Sequence, residues 1–132
     1  MGDIGDKSIV LMVIDLRRIT IEIAGIGQAI AELDERNPGI AEQLLQKLPI
    51  IGKANLWGEE VYFEIPLNLD NENTSLCAST GDISYWSPGP ALCIFFGQTQ
   101  PYSAVNHLGK VTDGLYLFKK IKEGDRIVLS RN

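Results

Sequence analysis

Residues 19–33 read ITIEIAGIGQAIAEL, and they contain the clearest strand pattern in the chain. Ile19, Ile21 and Ile23 alternate with polar residues, and β-branched side chains at a period of two are typical of a strand with one buried face. The following AIAEL is compatible with a strand or with a helix, because Ala, Glu and Leu are good helix formers. The glycines at 25 and 27 favour a turn between two strands, so we predict a β-hairpin.

One well-formed helix is predicted after the hairpin. Asn37 is a candidate N-cap, and Pro38 occupies the first helical position, where its missing N–H costs nothing. Apolar residues then recur at helical spacing until Pro49 ends the run. They are Ile40, Ala41, Leu44, Leu45 and Leu48. We expect this apolar face to pack on a sheet.

The rest of the chain predicts short strands. They are expected at residues 54–57, 59–65, 75–79, 83–86, 91–96, 108–112 and 126–130, with a short helix near residues 115–121. The run ALCIFF at residues 91–96 is apolar throughout, which indicates a strand buried on both faces. The pattern is not that of a parallel βαβ fold. We therefore predict a mainly β fold, a closed barrel with one main helix and one short C-terminal helix.

Length and composition indicate a single domain. The chain has 132 residues, of which 45% are hydrophobic and 22% are charged. We assign residues 18–132 to the barrel and residues 1–17 to an N-terminal extension or extra strand. The net charge of −5 gives no electrostatic reason to bind nucleic acid or anionic lipid. The longest apolar run, residues 9–14, is too short to span a bilayer and lacks a signal-peptide pattern, so we expect a cytoplasmic protein without a membrane partner.

The cysteine and histidine content predicts neither a metal site nor a cofactor. Cys77 and Cys93 lie too far apart for a CxxC motif, and His107 is the only histidine. We expect both thiols to be reduced and buried.

The order of these segments resembles that of the cyclophilins, in which a β-hairpin is followed by a helix and barrel strands. The paired Phe95 and Phe96 before Gly97, and the string GKVTDGLYLFKKI at residues 109–121, carry the same likeness. A closer resemblance is to small uncharacterised prokaryotic proteins with a cyclophilin-like fold, at LWGEEVYFEIP (residues 56–66) and GDISYWSPGPALCIFFG (residues 81–97). The resemblance implies a cyclophilin-like barrel. One fold hosts many functions, so function is sought in the site residues.

Prolyl isomerisation is the activity that the cyclophilin resemblance implies. In that family an arginine donates toward the prolyl nitrogen, which helps to overcome a rotation barrier of about 18–20 kcal/mol. The matching strand here, residues 56–65, has no arginine and carries Glu59 and Glu60 instead. A carboxylate cannot supply that positive donor, so efficient isomerisation is not expected even if Phe95 or Phe96 floors a pocket.

Aromatic residues beside acids predict a ligand site at the mouth of the barrel. A concave aromatic wall with one carboxylate suits a small polar molecule or an extended peptide. The alternative is that the tryptophans only pack the barrel ends. The candidate ligand-binding residues are Trp57, Glu59, Glu60, Tyr62, Tyr85, Trp86, Phe95 and Phe96.

Glu60 and His107 are the candidates for a catalytic role. Glu59 and Glu60 are adjacent, so on a strand they point to opposite faces and only one can face a cleft. An inward glutamate would have a raised pKa and could act as a base, whereas the alternative is that both are surface charges. His107 is either a proton carrier or, as is more common for a lone histidine, a structural residue.

These observations predict a protein that binds a small molecule or peptide at an aromatic cleft without efficient catalysis. Three alternatives stay open: an atypical peptidyl-prolyl isomerase, a small-substrate enzyme that uses Glu60 and His107, and an interaction module without a pocket. Catalytic turnover would distinguish the first two from the others.

Overall fold

The computed structural model describes residues 16–132, which include ten strands, a ten-residue α-helix and a 3₁₀ helix, while Leu16 and Arg17 are also helical. The strands are β1 (Arg18–Ile23), β2 (Gly27–Leu33), β3 (Ile50–Lys53), β4 (Asn55–Trp57), β5 (Glu60–Glu64), β6 (Thr74–Ser75), β7 (Asp82–Trp86), β8 (Ala91–Phe95), β9 (Val105–Asp113) and β10 (Arg126–Arg131). The α-helix, α1, spans Pro38–Lys47, and the 3₁₀ helix spans Leu115–Lys120. The predicted N-terminal extension or extra strand falls almost entirely on residues 1–15, outside the described residues.

All strand pairs are antiparallel, in the order β3-β10-β1-β2-β9-β7-β8-β5-β4, with β6 beside β9. The two ends of this order, β3 and β4, are joined in sequence through Ala54 alone. Gly52 of β3 also packs on the ring of Phe63 in β5, where an added Cβ would lie 2.5 Å from a ring carbon. The sheet is therefore a nearly closed barrel, and the predicted mainly β architecture with one main helix is confirmed.

The opening hairpin forms as predicted. β1 and β2 pair along their length, with Ile23 opposite Gly27, and Gly25 in the turn has a φ of 75°. Ile19 and Ile21 are fully buried in the barrel core. Residues 29–33 are therefore strand and not helix, because pairing with β1 and β9 outweighs the helix propensity of AIAEL.

Helix α1 begins at Pro38, but Asn37 does not cap it with its side chain. The Asn37 amide is buried and donates to the His107 carbonyl at 2.8 Å. Glu72, far along the chain, instead accepts hydrogen bonds from two backbone N–H groups of the first turn, at 3.2 and 3.0 Å. The helix N-terminus is thus satisfied by a distant carboxylate, which local sequence could not reveal.

Several strand boundaries differ from the sequence prediction, and β9 begins at Val105 instead of residue 108. The strand expected at residues 75–79 ends at Ser75, because the Ser75 hydroxyl bonds both the N–H and the carbonyl of Cys77 and turns the chain away. Pairing with β10 forms β3 before the break at Ala54, so residues 50–53 are strand as well. These changes leave the barrel order intact.

Strand β8 is buried along its whole length, as predicted. Leu92 and Ile94 belong to the main core, whereas Ala91, Cys93 and Phe95 alternate with them and lie on the opposite face. That second face carries the candidate site.

Candidate functional site

A cavity of about 230 Å³ lies against this second face of the barrel sheet. The floor contains buried Glu60, Cys93 and Val105, whereas Trp57 and Tyr102 at the rim are 50% and 76% exposed. We call it the aromatic cavity. Its lining residues are Trp57, Glu60, Tyr62, Trp86, Cys93, Pro101, Tyr102 and Val105.

Strand register brings the floor residues together. Glu60 and Tyr62 are two residues apart on β5 and therefore share a face. Tyr62 lies opposite Cys93 on β8, and Cys93 lies opposite Ser84 on β7. Trp86 follows Ser84 by two residues on the same face of β7. One face of three neighbouring strands thus supplies half of the cavity lining.

Trp57 of β4 and Val105 of β9 also line the cavity, and the loop of residues 97–104 adds Pro101 and Tyr102. Glu59 holds this loop in place. The Glu59 carboxylate accepts from the Gln98 N–H at 3.1 Å, and the Glu59 N–H donates to the Thr99 hydroxyl at 2.7 Å. At the far side, Trp86 Nε1 donates to the Ser103 hydroxyl at 2.7 Å. The loop is consequently hydrogen-bonded to the barrel on both sides of the cavity.

Tyr102, carried by this loop, lies between the two tryptophans. Its ring centroid is 5.9 Å from that of Trp57 and 6.4 Å from that of Trp86, with interplanar angles of 80° and 83°. Both contacts are edge-to-face, an arrangement in which aromatic quadrupoles attract. Three aromatic side chains from two strands and a loop therefore make one rim.

Glu60 and Cys93 set the electrostatics of the floor. Burial raises the pKa of Glu60, and a hydrogen bond with Cys93 opposes that rise only in part. Burial and the neighbouring Glu60 carboxylate raise the pKa of Cys93 well above its usual value. Cys93 is therefore held as a thiol, which is a poor nucleophile.

The structure brings four of the eight predicted ligand-binding residues into the cavity: Trp57, Glu60, Tyr62 and Trp86. Glu59 is exposed and holds the loop instead. The other three predicted residues, Tyr85, Phe95 and Phe96, lie outside the lining.

These three aromatic residues are buried and have structural partners. Tyr85 is fully buried, and its hydroxyl donates to the Leu67 carbonyl at 3.1 Å. Phe96 stacks on Phe118 with centroids 6.4 Å apart. Phe95, also fully buried, lies opposite Glu60 in the β5–β8 register without lining the cavity.

Four lining residues were not predicted from the sequence: Cys93, Pro101, Tyr102 and Val105. Cys93 reaches the floor through cross-strand register, which a single sequence does not display. Tyr102 carries the one available signal, a large aromatic residue in an otherwise polar loop.

His107 lies in a separate buried network outside the lining of the aromatic cavity. Its Nε2 donates to the Cys77 carbonyl at 2.7 Å, because a carbonyl can only accept. In the neutral ring Nδ1 then accepts from the Ser84 hydroxyl at 2.6 Å, while an Asp82 oxygen lies 3.8 Å from the same nitrogen. In a serine-hydrolase triad, the serine and the acid bond different ring nitrogens. This geometry therefore indicates a structural histidine.

Asp82 is the charged centre of that network. Its carboxylate pairs with Arg36 at 3.2 Å and Lys110 at 3.3 Å, and it accepts from the Ser79 N–H at 2.8 Å. Burial acts to raise the pKa of Asp82, but the hydrogen bonds and the positive neighbours outweigh it and lower the pKa. Asp82 is thus a buried carboxylate with cationic partners.

A second cavity, of about 280 Å³, lies beside α1 and is lined partly by Leu33, Ala41 and Leu45. Charged side chains at its edge pair with each other, as Arg17 does with Glu35 at 2.7 Å. Its lining includes no aromatic residue from the described part of the chain.

Within residues 16–132, no cluster of three or more His, Cys, Asp and Glu side chains is placed to hold a metal ion. Both cysteines are free, but Cys77 is exposed, so the expectation of two buried thiols was wrong for that residue. No helix in the described range has the length and hydropathy needed to cross a membrane.

A family model described as cyclophilin-like matches residues 17–130. The chain belongs to the cyclophilin-like family. Among solved structures, it is similar to the hypothetical protein AF2241 from Archaeoglobus fulgidus, with 30% identity and a TM-score of 0.74 over 88% of this chain and 95% of that one. The family and the archaeal structure confirm the resemblance recognised in the sequence.

A second solved structure, McbB in complex with tryptophan, shares the cyclophilin-like fold. Its identity to this chain is 20% and its TM-score is 0.75, over 86% of this chain but only 44% of McbB. This cyclophilin-like chain thus spans less than half the length of McbB. No match was found among curated proteins.

Proposed function

We propose that this cyclophilin-like protein binds a small organic molecule in the aromatic cavity, with Glu60 meeting a polar group of the ligand. The observation that carries the proposal is the convergence of both tryptophans of the chain on one cavity that has a buried carboxyl at its floor. Apolar walls with a few converging polar groups are typical of small-molecule sites.

The size of the aromatic cavity supports a ligand with one ring or a compact branched group. An apolar cavity of about 150 Å³ is sufficient to bind benzene. Drug-sized ligands generally occupy about 300–1,000 Å³. The 230 Å³ available here lies between these values. A small molecule therefore fits better than an extended peptide, which would use the cavity for one side chain.

The site chemistry favours binding over catalysis. Glu60 does not share a cavity with His107, so the two do not form an acid/base pair. The raised pKa of the Cys93 thiol disfavours nucleophilic attack. None of the described lining residues is an arginine, the donor that prolyl isomerisation requires. These observations weigh against both the isomerase and the small-substrate enzyme.

Intrinsic fluorescence offers a direct test, because the chain has only two tryptophans and both line the aromatic cavity. We expect titration with benzyl alcohol to change their emission saturably. The same probe should raise Tm, because it binds only the folded state.

A matched pair of exposed tyrosines controls the titration. Tyr102 lies in the cavity rim and Tyr116 lies on the 3₁₀ helix, with exposures of 76% and 66%. Tyr102→Leu should weaken benzyl alcohol binding about five-fold or more, since it removes one wall of the site. Tyr116→Leu should leave binding unchanged. Equal effects of the two variants, or a linear unsaturable response, would count against the proposed function.

A further inference from the structure

Glu60 differs from the other buried acid of the sheet in its lack of a cation. Asp82 is 2% exposed and has Arg36 and Lys110 within ion-pair distance. Glu60 is 6% exposed, yet within residues 16–132 no lysine, arginine or histidine forms an ion pair with it. Buried carboxylates are normally paired. The protein thus pairs Asp82 with cations, whereas Glu60 faces a cavity with only the neutral Cys93 thiol, among the described residues, as its side-chain hydrogen-bond partner.

The rings around Glu60 are suited to a positive charge. Trp57, Tyr62, Trp86 and Tyr102 line the same cavity. The face of an aromatic ring is electrically negative, and tryptophan is the strongest cation–π partner. These rings have no protein cation as a partner: the only cation–π contact in the described range is between Lys120 and Tyr116, outside the cavity.

A single buried carboxyl surrounded by aromatic rings favours one class of cation over others. A primary ammonium or metal ion needs several hydrogen-bond acceptors or ligands to replace its water, and the lining offers one carboxyl and mainly apolar surface. An alkylated ammonium carries its charge under methyl groups and gains from ring contacts instead. A trimethylammonium group is also compact, as a cavity of 230 Å³ requires.

We propose that the aromatic cavity binds an alkylated ammonium compound, with the rings of Trp57, Trp86 and Tyr102 around the cation and Glu60 as its counter-ion. This inference rests on the proposed function and specifies its ligand class.

Choline and 3,3-dimethylbutan-1-ol test the inference, because they have the same shape and differ in whether a charged nitrogen or a neutral carbon bears the three methyl groups. Binding of each to the full chain is measured by calorimetry or by tryptophan fluorescence. We expect choline to bind about ten-fold more tightly than the neutral alcohol. Glu60→Gln should reduce this ratio to about three-fold or less.

Glu64→Gln is the matched control, because Glu64 is an exposed glutamate on the same strand and outside the cavity lining. It should leave the ten-fold ratio intact. Equal binding of choline and the alcohol, or a ratio unchanged in Glu60→Gln, would overturn the ammonium inference and leave the proposed function standing. Failure of choline, the alcohol and benzyl alcohol alike would overturn both.

Discussion

The Glu60 carboxyl and the Cys93 thiol meet at the floor of the aromatic cavity, where each is buried and the carboxylate raises the pKa of the thiol. No lysine, arginine or histidine lines the cavity around these two groups, and none forms an ion pair with Glu60 within residues 16–132. The arrangement costs stability when Glu60 is charged, and a bound cation would offset that cost.

The stability of the free protein should fall with rising pH because of Glu60. Burial raises its pKa in the folded chain above the unfolded value, so the folded state holds the proton more tightly. The contribution is fully present below the unfolded pKa and is lost as pH rises through the folded pKa. We expect Glu60→Gln, which cannot ionise, to gain stability relative to the parent as pH rises. Urea unfolding of the parent and of Glu60→Gln at several pH values measures the difference in their free energies of unfolding, with Glu64→Gln as control. A difference that does not change with pH would refute the prediction.

The two cysteines should differ sharply in reactivity. Cys77 is exposed, whereas Cys93 is 2% exposed and its pKa is raised by burial and by Glu60. An aromatic disulfide reagent should therefore label one thiol rapidly in the folded chain and the second only after denaturation. Cys77→Ser should abolish the fast phase. Rapid labelling of both thiols in the native protein would show that the cavity floor is more accessible than described.

Asp82 should stabilise the fold in the opposite pH sense to Glu60. Although burial acts against it, the Ser79 hydrogen bond and the interactions with His107 and Arg36 lower its pKa in the folded chain. Its contribution is present above the unfolded pKa and is lost as pH falls through the folded pKa.

Asp82→Asn should therefore lower the free energy of unfolding by about 2–3 kcal/mol at neutral pH, and by less in acid. Asp113→Asn, an exposed change at the end of β9, is the control. Denaturant unfolding at neutral and at acidic pH gives the free energy of unfolding of each variant. A loss from Asp82→Asn that grows in acid would contradict the account.

Gly52 should be required for barrel closure. An added Cβ would lie 2.5 Å from the Phe63 ring, which is fully buried and cannot move aside freely. We expect Gly52→Ala to lower the free energy of unfolding by about 1–3 kcal/mol. Ile51→Ala, at the adjacent and 60% exposed position, should cost about 0.5 kcal/mol. Calorimetric or urea unfolding of both variants measures these losses in the free energy of unfolding. Equal losses would show that β3 does not pack tightly on β5.

Local patterns in the sequence were sufficient to predict the hairpin, the helix and the doubly buried strand. They were less informative about the site because side-chain direction depends on strand register. Tyr85 and Trp86 are neighbours on β7, so only one of them can face the cavity, and in the structure that residue is Trp86. Glu59 lies in the turn before β5 and not on the strand, whereas Glu60 is the first residue of β5 and faces the cavity.

Residues that reach the site through long-range packing could not be predicted from local pattern. Tyr102 becomes part of the rim because hydrogen bonds with Glu59, Ala78 and Trp86 fix its loop over the sheet. Cys93 joins the floor through pairing with Tyr62 on a strand about thirty residues earlier in sequence. Such contacts depend on topology and not on composition.

Heteronuclear NMR during titration with benzyl alcohol locates binding residue by residue, so it shows whether the aromatic cavity is the ligand site. Saturable shifts should appear at the indole N–H signals of Trp57 and Trp86 and at backbone signals of Glu60, Cys93 and Tyr102. Signals from the second cavity beside α1, with Leu33, Ala41 and Leu45, should stay unperturbed. Shifts confined to that second cavity, or unsaturable shifts scattered over the barrel, would contradict a ligand site in the aromatic cavity.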